Sequence, residues 1–176
     1  RTCAAMSSPA AIDRLYNRAA GEEPLPGYVL IEPLGRGGFG EVWRAEVPGG
    51  LHKAIKFVAP DPDLSGSTAG FALHQEFEAF QTIKRIRHPF LLTLERVELV
   101  SGELVMVMEL ADTQLQDRFN QCRQAGQPGV PRNELLAYFA DAAEALDVIG
   151  TKYGLQHLDV KPANLFLVCG RVKVGD

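Results

Sequence analysis

The segment "HLDVKPAN", residues 157–164, places an aspartate, a lysine and an asparagine within six positions. Asp159 could act as a general base, and Asn164 and the later Asp176 carry the oxygen ligands that Mg²⁺ prefers. Phosphoryl transfer from a nucleotide needs both functions, because the acceptor hydroxyl must be oriented while metal ions bridge the phosphates. Each residue alone would be an ordinary polar residue of a loop, but the ordered set predicts phosphoryl-transfer chemistry.

A glycine-rich cluster with the spacing G-x-G-x-x-G lies earlier in the chain, at Gly35, Arg36, Gly37, Gly38, Phe39 and Gly40. This spacing is found in dinucleotide-binding folds and in hairpins that cover phosphates, and it can also be only a turn. In a dinucleotide fold the last glycine begins a helix, whereas here "EVWRAEV" alternates like a strand and ends at "PGG". The context favours a hairpin whose glycines let backbone N–H groups approach a phosphate.

Lys56 in "AIKFV" lies one predicted strand further on. A strand lysine is more often solvated, but at hairpin distance from the glycine cluster its ammonium group can neutralise the same phosphates. Glu76 is the candidate acid to hold it, since Glu76 shares a predicted helix face with Phe80 and Ile83, where an unpaired charge costs free energy. Glu78 points about 100° away and is the alternative, and both acids could merely solubilise the helix.

The surrounding segments predict an α+β architecture. From Tyr28 onward, β-branched and aromatic runs separated by turns indicate five strands, and one helix follows a polar loop over 59–70. That helix should end at the His88-Pro89 step, because a residue before proline disfavours helical geometry. Beyond Ala111 the pattern predicts a short helix, a longer helix, and a hairpin of "NLFLV" and "RVKV". We therefore predict a flexible leader over 1–26, a nucleotide-binding lobe over 27–110, and a second lobe over 111–176.

The composition is that of an ordinary globular protein and narrows the classes of partner. Eighteen Lys and Arg against 22 Asp and Glu give a net charge of -4, which favours neither nucleic acid nor an anionic membrane. The three cysteines follow no metal-ligand pattern, which favours a reducing, cytoplasmic compartment. No apolar run approaches the roughly 18 to 20 residues of a membrane span. We expect a protein without nucleic-acid or membrane contacts in this stretch, and the oligomeric state stays open.

Taken in order, these motifs resemble those of eukaryotic-type protein kinases over about 28–176. "LGRGGFGEV" is similar to the glycine-rich loop, "AIK" to the strand-three lysine motif, "MEL" to the gatekeeper and hinge, and "HLDVKPAN" to the catalytic loop. "VGD" is similar to the start of the D-F-G motif, ending at its Asp. The implied fold is protein-kinase-like, with a five-stranded antiparallel N-lobe and one helix, followed by the first helices and the catalytic loop of a truncated helical C-lobe.

The resemblance implies a serine/threonine protein kinase that uses ATP and Mg²⁺ and acts on a protein substrate. Asp159 would orient the substrate hydroxyl and accept its proton, and Lys161 would stabilise the transferring phosphoryl group. Asn164 and Asp176 would hold Mg²⁺. The position of Lys161, two residues after Asp159, is similar to serine/threonine kinases and unlike tyrosine kinases.

The same resemblance implies a set of nucleotide contacts. Lys56 would contact the α- and β-phosphates and pair with a helical Glu. The adenine ring would lie between hydrophobic side chains, beside a gatekeeper and the hinge backbone. These contacts would come from Leu34, Val42, Ala54 and Phe166 around adenine, Met108 as gatekeeper, and the backbones of Glu109 and Ala111 at the hinge.

Some positions depart from the family pattern. Counting back from the His88-Pro89 step places Ala79 where the helix Glu is usual, but we predict Glu76, which implies about one extra helical turn. Leu158 stands where most regulated kinases have an Arg that pairs with a phosphate, and its presence implies activity independent of such phosphorylation. The turn at Cys169-Gly170 is one residue tighter than expected. The segment "IRHPFLLTLERVEL" together with the "MELAD" hinge is also similar to kinases from kinase-rich bacterial genomes.

Three alternatives to an active protein kinase remain open. A pseudokinase acting as a scaffold usually lacks one of the key polar positions, whereas Lys56, Asp159, Asn164 and Asp176 are all present here. A small-molecule phosphotransferase of kinase-like fold shares the spacing of the catalytic loop but is disfavoured by Lys161 and the full glycine-rich loop. We also expect the chain to be a fragment, cut at the D-F-G Asp, that binds Mg-ATP weakly and does not phosphorylate a protein by itself.

Overall fold

The computed structural model describes residues 18–37, 40–58 and 67–175, which form two compact units. The first unit combines the chain up to Ile83 with Glu95–Met108. The second combines Lys84–Leu94 with the chain from Glu109 onward. Residues 84–94 thus belong to the second unit, although the linear division at residue 110 placed them in the first lobe.

The first unit is built on a five-stranded sheet, as the sequence predicts. Its strands lie in the order β1-β2-β3-β5-β4, and β2 pairs antiparallel with both β1 and β3. Two residues with positive φ, Ser101 and Gly102, join β4 to β5, which is the backbone of a tight hairpin turn. The strands are β1 Val29–Gly37, β2 Gly40–Val47, β3 Leu51–Val58, β4 Leu94–Val100 and β5 Glu103–Glu109.

The two faces of this sheet differ because side chains alternate along each strand. One face, called here the core face, carries a buried hydrophobic cluster. The opposite face carries Val42, Ala54 and Lys56, since Val42 pairs with Lys56 across β2 and β3 and Ala54 lies two residues from Lys56. The core-face cluster consists of Leu25, Leu30, Trp43, Ala45, Ile55, Phe57, Val105 and Val107.

Part of the predicted leader is folded onto the core face. Leu25 is only 2% exposed, and its segment exchanges backbone hydrogen bonds with β1, from Gly21 N to Leu30 O and from Leu30 N to Glu22 O, each at 2.8 Å. The prediction of a flexible leader over 1–26 is therefore wrong for residues 18–26. The sequence signal was obscured because only one large apolar residue, Leu25, anchors this polar and glycine-containing stretch.

The predicted helix of the first unit is present as α1, Ser67–Ile83, but its bounds differ from the prediction. It begins inside the predicted loop over 59–70, and it ends before the His88-Pro89 step. Residues after Ile83 are drawn into the second unit, where Leu92 N donates to Val174 O and Val174 N donates to Phe90 O, both at 2.8 Å. The helix thus ends five residues before His88, and residues 90–92 pair with the second unit's last strand.

The second unit contains the helices and the hairpin predicted after Ala111. Its strands β6 Thr113–Gln114, β7 Leu165–Val168 and β8 Arg171–Val174 form a sheet in that order. Its helices are α2 Leu115–Gln124 and α3 Arg132–Tyr153. Cys169 and Gly170, both with positive φ, form the two-residue turn between β7 and β8, so the tight turn fits this hairpin.

The core of the second unit forms where α3 packs against β8. The buried face of α3 runs through Tyr138, Ala142 and Ala145, whereas Phe139 is half exposed. Polar Asp141 is also buried on this face, which apolar spacing alone does not indicate. Among the helices that the structure describes, none is both long and apolar enough to cross a bilayer.

Candidate active site

The catalytic-loop segment follows directly from the end of α3. Gly154 adopts a left-handed φ of 65° and donates to Gly150 O at 3.1 Å, and Leu155 N donates to Ile149 O at 3.0 Å. These bonds satisfy carbonyls of the last helical turn and end the helix. The chain then runs through the loop to a single 3₁₀ turn, Pro162–Asn164, and into β7.

Three of the predicted catalytic residues meet in this loop. Lys161 Nζ donates to Asp159 Oδ2 at 2.7 Å, and Asn164 Nδ2 donates to the same oxygen at 3.0 Å. Asn164 Nδ2 also donates to the backbone oxygen of Asp159 at 2.9 Å. Asn164 is buried, while the side chains of Asp159 and Lys161 are 57% and 51% exposed. The buried asparagine thus orients an accessible carboxylate, which in turn holds an accessible ammonium group.

The environment of Asp159 keeps its side chain ionised. The hydrogen bond from Lys161 is the main cause that lowers the pKa of Asp159, and the positive charge of Lys161 and the hydrogen bond from Asn164 act in the same direction. Desolvation is the second-largest effect and raises the pKa, but the combined effect of these neighbours leaves the pKa of Asp159 lowered. A carboxylate with a lowered pKa is present as the base form at neutral pH and can accept a proton from a bound hydroxyl.

The backbone of the loop is tied to the end of β8. His157 Nε2 lies 3.2 Å from Gly175 O, and Gly175 N donates to Asn164 O at 3.1 Å. A Cβ atom at Gly175 would come within 2.9 Å of Leu92, so only glycine fits there without a shift of that side chain. Leu158 has a φ of 58° and is 87% exposed, so its apolar side chain points away from this framework.

The described residues fit the predicted role of Asn164 toward Mg²⁺. Both side-chain hydrogen bonds of Asn164 use its amide nitrogen, which leaves the amide oxygen as the atom suited to a hard cation. Asp176, the second predicted ligand, lies outside the described residues. Within those residues, no three His, Cys, Asp or Glu side chains converge as they would for a metal held by the protein alone.

The glycine-rich cluster forms the hairpin between β1 and β2, with Gly37 paired to Gly40 and Gly35 paired to Val42. Gly40 has a φ of 125°, and a Cβ atom there would lie 1.8 Å from the backbone oxygen of Phe57. Glycine is therefore required at this position both by the conformation and by the close approach of β3. Gly38 and Phe39, at the predicted tip, lie outside the described residues.

Three of the predicted nucleotide contacts, Val42, Ala54 and Lys56, share one face of the sheet. Lys56 is half-buried opposite Val42, and Ala54 is buried two residues away on the same strand. Leu34 is exposed on β1, and the side chain of Met108 is partly buried near the end of β5. The hairpin interpretation of the sequence thus places a lysine and small apolar side chains together on this face.

Glu76 lies on α1, but its side chain is exposed, as is that of Glu78. The reasoning that Glu76 shares a packed face with Ile83 is wrong, because both side chains are exposed, whereas Leu73 is buried on the same helix. The pairing of Lys56 with Glu76 stays a prediction that rests on the motif, not on burial.

The hinge and the residues after it lie in the second unit. Both carboxylate oxygens of Glu109 accept from Lys173 Nζ at 2.7 Å, and Glu109 N donates to Thr93 O at 2.9 Å. The N–H of Glu109 is therefore occupied, and only its carbonyl oxygen could bind adenine. Ala111 is partly buried before β6, and Phe166 is partly buried on β7 opposite Lys173.

Sequence reasoning missed the role of Lys173. Its place between the buried Val172 and Val174 showed that it faces the other side of β8, but not what it meets there. Its partner Glu109 is 64 positions away in the chain. A contact between residues so far apart in the chain depends on the packed fold, and no local sequence pattern predicts it.

Comparison with known proteins agrees with this arrangement. The model of the protein kinase domain matches residues 28–176. The chain is 34% identical over 157 residues to CBL-interacting protein kinase 4 of Oryza sativa subsp. japonica, covering 88% of the chain and 33% of that protein. It is 32% identical over 149 residues to serine/threonine-protein kinase MPS1 of Saccharomyces cerevisiae, covering 85% of the chain and 18% of that protein.

Protein-tyrosine kinase 6 of Mus musculus is 27% identical over 158 residues, covering 88% of the chain and 32% of that protein. The chain thus spans about a third or less of the length of these relatives. All three come from eukaryotes and lend no support to the predicted likeness to bacterial kinases. Since the family model matches most of the chain, from the glycine-rich hairpin through the catalytic loop, the chain belongs to the protein kinase domain family.

Proposed function

We propose that this chain is catalytic-domain sequence of a serine/threonine protein kinase, which transfers the γ-phosphoryl group of ATP to a hydroxyl group of a protein substrate. The observation that carries the proposal is the catalytic loop, where Asn164 and Lys161 both donate to the same oxygen of Asp159. This arrangement supplies a base and a cation next to each other on an accessible surface. Membership of the protein kinase domain family supports a protein as the substrate.

In the proposed reaction, Asp159 accepts a hydrogen bond from the substrate Ser or Thr and takes its proton as the oxygen attacks the γ-phosphorus. The bond between that phosphorus and the β,γ-bridging oxygen breaks, and ADP leaves. Lys161 places its ammonium group beside the base, where it can offset the negative charge of the transferring group. Mg²⁺ bound with ATP would neutralise the phosphates, and Asn164 and Asp176 are the residues that would hold it.

The nucleotide-binding part of the proposal rests on the first unit. Lys56 would contact the α- and β-phosphates, and the backbone of the glycine-rich hairpin would cover them. Val42 and Ala54 support this role, because they share the face of Lys56 and offer it small apolar neighbours suited to adenine. Leu34, Met108 and Phe166 are proposed to complete the adenine contacts, with the carbonyl of Glu109 and the backbone of Ala111 as its polar partners.

Serine/threonine preference is supported by Lys161 and by the names of relatives, one of which is a serine/threonine-protein kinase. We also propose the cytoplasm as the compartment. The support for this compartment is the cysteine spacing of the sequence, which follows no metal-ligand or paired pattern.

The proposal is tested by measuring binding and transfer separately in the full-length protein. Asp159→Asn should abolish transfer to a protein substrate while the Kd for Mg-ATP changes by less than about threefold, because the base is not needed to bind nucleotide. Lys56→Met should weaken both binding and transfer. If both variants retain the wild-type transfer rate, the chain is not acting as the proposed kinase.

A further inference from the structure

Arg18 lies before the part of the chain that matches the protein kinase domain, yet it makes three contacts with the sheet of the first unit. Its Nη1 donates to Glu41 Oε1 at 2.5 Å, and its Nη2 donates to a carboxylate oxygen of Glu103. Its guanidinium carbon lies 3.6 Å from the centroid of the Phe57 ring. Arg18 thus connects β2, β3 and β5 through a side chain that is only 13% exposed.

Two of these contacts fall next to the predicted phosphate-binding residues. Glu41 directly follows Gly40, and Phe57 directly follows Lys56. Glu41 and Phe57 also face each other across β2 and β3. Neighbouring residues of a strand point to opposite faces. Arg18 therefore contacts Glu41 and Phe57 on the core face, and the residues next to them, Gly40 and Lys56, are the predicted nucleotide contacts.

The backbone at the same place has little freedom. Gly40 approaches the carbonyl of Phe57 so closely that no side chain fits between β2 and β3. A cation that holds Glu41 and stacks on Phe57 therefore fixes both sides of this close approach. Displacement of either residue would move Gly40 or Lys56 with it.

The charges in this cluster depend on each other. Glu41 is 5% exposed, and burial raises the pKa of Glu103, while Arg18 opposes that rise and the nearby Glu41 adds to it. Two carboxylates at a buried site repel each other unless a cation lies between them. Without Arg18 the three strands would lose their common cation, and the acids would be expected to move apart toward water.

The segment that carries Arg18 is itself anchored to β1. Ala19 N donates to Glu22 Oε1 at 3.0 Å, and Glu22 O accepts from Leu30 N at 2.8 Å. Leu25 is buried in the core-face cluster. These contacts keep Arg18 in place from a stretch that precedes the first strand, so they connect the N-terminal segment to the nucleotide-binding hairpin.

We propose that Arg18 is a positioning residue for nucleotide binding, which holds the start of β2 and the end of β3 from the core face and thereby sets the affinity of the glycine-rich hairpin and Lys56 for Mg-ATP. The inference rests on the proposed function of these two elements. It makes the segment over 18–26 a determinant of ATP affinity, although it lies on the face of the sheet opposite to Lys56. Any change that frees this segment lowers that affinity.

The test compares Arg18→Gln with Arg18→Lys in the full-length protein, using Mg-ATP in calorimetry and peptide phosphorylation. Arg18→Gln should raise the Kd and the KM for ATP by about tenfold, while kcat at saturating ATP stays within about twofold. Arg18→Lys should recover part of the loss, since it restores the charge but not the paired hydrogen bonds. Lys53→Gln is the matched control, because Lys53 lies on the same strand as Phe57 and forms a partly exposed pair with Glu95 at 2.5 Å.

A second variant distinguishes a loss of protein stability from a loss of positioning. It combines Arg18→Gln with Glu41→Gln and Glu103→Gln and so removes all three charges of the cluster. It should remain folded but bind Mg-ATP as weakly as Arg18→Gln does. In nucleotide-free protein, amide hydrogen exchange at 40–42 and 56–58 should be faster in Arg18→Gln than in Lys53→Gln. Wild-type affinity and exchange in the Arg18 variants would overturn this inference, whereas failure of the wild type to bind Mg-ATP would overturn the proposed function and this inference with it.

Discussion

Lys161 Nζ and Asp159 Oδ2 lie 2.7 Å apart, and Asn164 donates to the same oxygen. The lysine is therefore both the neighbour of the proposed phosphoryl-transfer centre and the main cause of the lowered pKa of Asp159. These two effects can be separated, because one acts on the rate at neutral pH and the other on the pH at which the base becomes protonated.

Lys161→Gln should lower kcat at neutral pH by about a hundredfold, which is typical of losing one preorganised donor to a developing charge. It should also raise the pKa of Asp159 toward its ordinary value, since a neutral amide stabilises the carboxylate less than an ammonium group does. The acid limb of the plot of kcat against pH should move to higher pH. Lys152→Gln, an exposed lysine at the end of α3, should leave the profile unchanged, and an unmoved acid limb in Lys161→Gln would contradict the assigned pairing.

Asp141→Asn tests the ion pair that joins the buried Asp141 of α3 to the exposed Arg171 of β8. Asp141 accepts from Arg171 Nη2 at 2.6 Å and Nε at 2.8 Å, and from Val172 N at 3.3 Å. The substitution should lower the free energy of unfolding by about 2 kcal/mol in urea denaturation, because a hydrogen-bonded carboxylate at a buried site is lost. Asp147→Asn, at an exposed position of the same helix, should have little effect.

The pH dependence of that loss has a defined sign. The hydrogen bond from Arg171 is the main cause that lowers the pKa of Asp141. The ionised Asp141 carboxylate therefore contributes fully to stability above the ordinary Asp pKa of about 3.9. This contribution is lost as the pH falls through the lowered pKa that Asp141 has in the folded protein. The difference in stability between wild type and Asp141→Asn should shrink in that acid range, and a difference that grows on acidification would contradict the assignment.

Gly40→Ala tests the close approach of β2 and β3 beneath the hairpin. A methyl group at this position would overlap the carbonyl oxygen of Phe57, so the strands would have to separate. Thermal unfolding should show a loss of about 3 kcal/mol, and the Kd for Mg-ATP should rise at least tenfold. Gly49→Ala also has a positive φ but open space around it, so it should cost only about 1 kcal/mol and leave binding unchanged. Equal losses in both variants would mean that strain, and not the close approach, is responsible.

The partner of Lys56 on α1 is tested by Glu76→Gln and Glu78→Gln. Both side chains are exposed, so neither substitution should change the free energy of unfolding by more than about 0.5 kcal/mol. Only Glu76→Gln should reduce kcat/KM for ATP, because the motif assigns the pairing to Glu76. A selective loss in Glu78→Gln would transfer the role to that residue.

Local patterns were enough to predict the five strands, the two later helices and the hairpin before Asp176. Alternation in "EVWRAEV" and the positive-φ glycines of the turns depend only on neighbouring residues, and the structure confirms that the strand predicted after Gly40 is β2. The catalytic loop could also be predicted from the sequence, since Asp159 and Asn164 are only five positions apart.

Features that depend on packing were predicted poorly or not at all. The pairing of Leu92 with Val174 joins positions about 80 residues apart, which no local pattern indicates. The burial of a charged residue on α3, Asp141, is likewise not indicated by apolar spacing. Arg18 is an ordinary polar residue in sequence, and its importance appears only when β2, β3 and β5 are brought together.

The central claim, that Asp159 serves transfer to a Ser or Thr hydroxyl, is tested most directly by phosphoamino-acid analysis of a protein substrate incubated with the full-length protein and γ-labelled ATP. Wild type and Asp117→Asn, which changes an exposed acid of α2, should form phosphoserine or phosphothreonine at equal rates. Asp159→Asn should reduce that rate by at least about a hundredfold while Mg-ATP still binds. Label found only on tyrosine, or an unchanged rate in Asp159→Asn, would contradict the account.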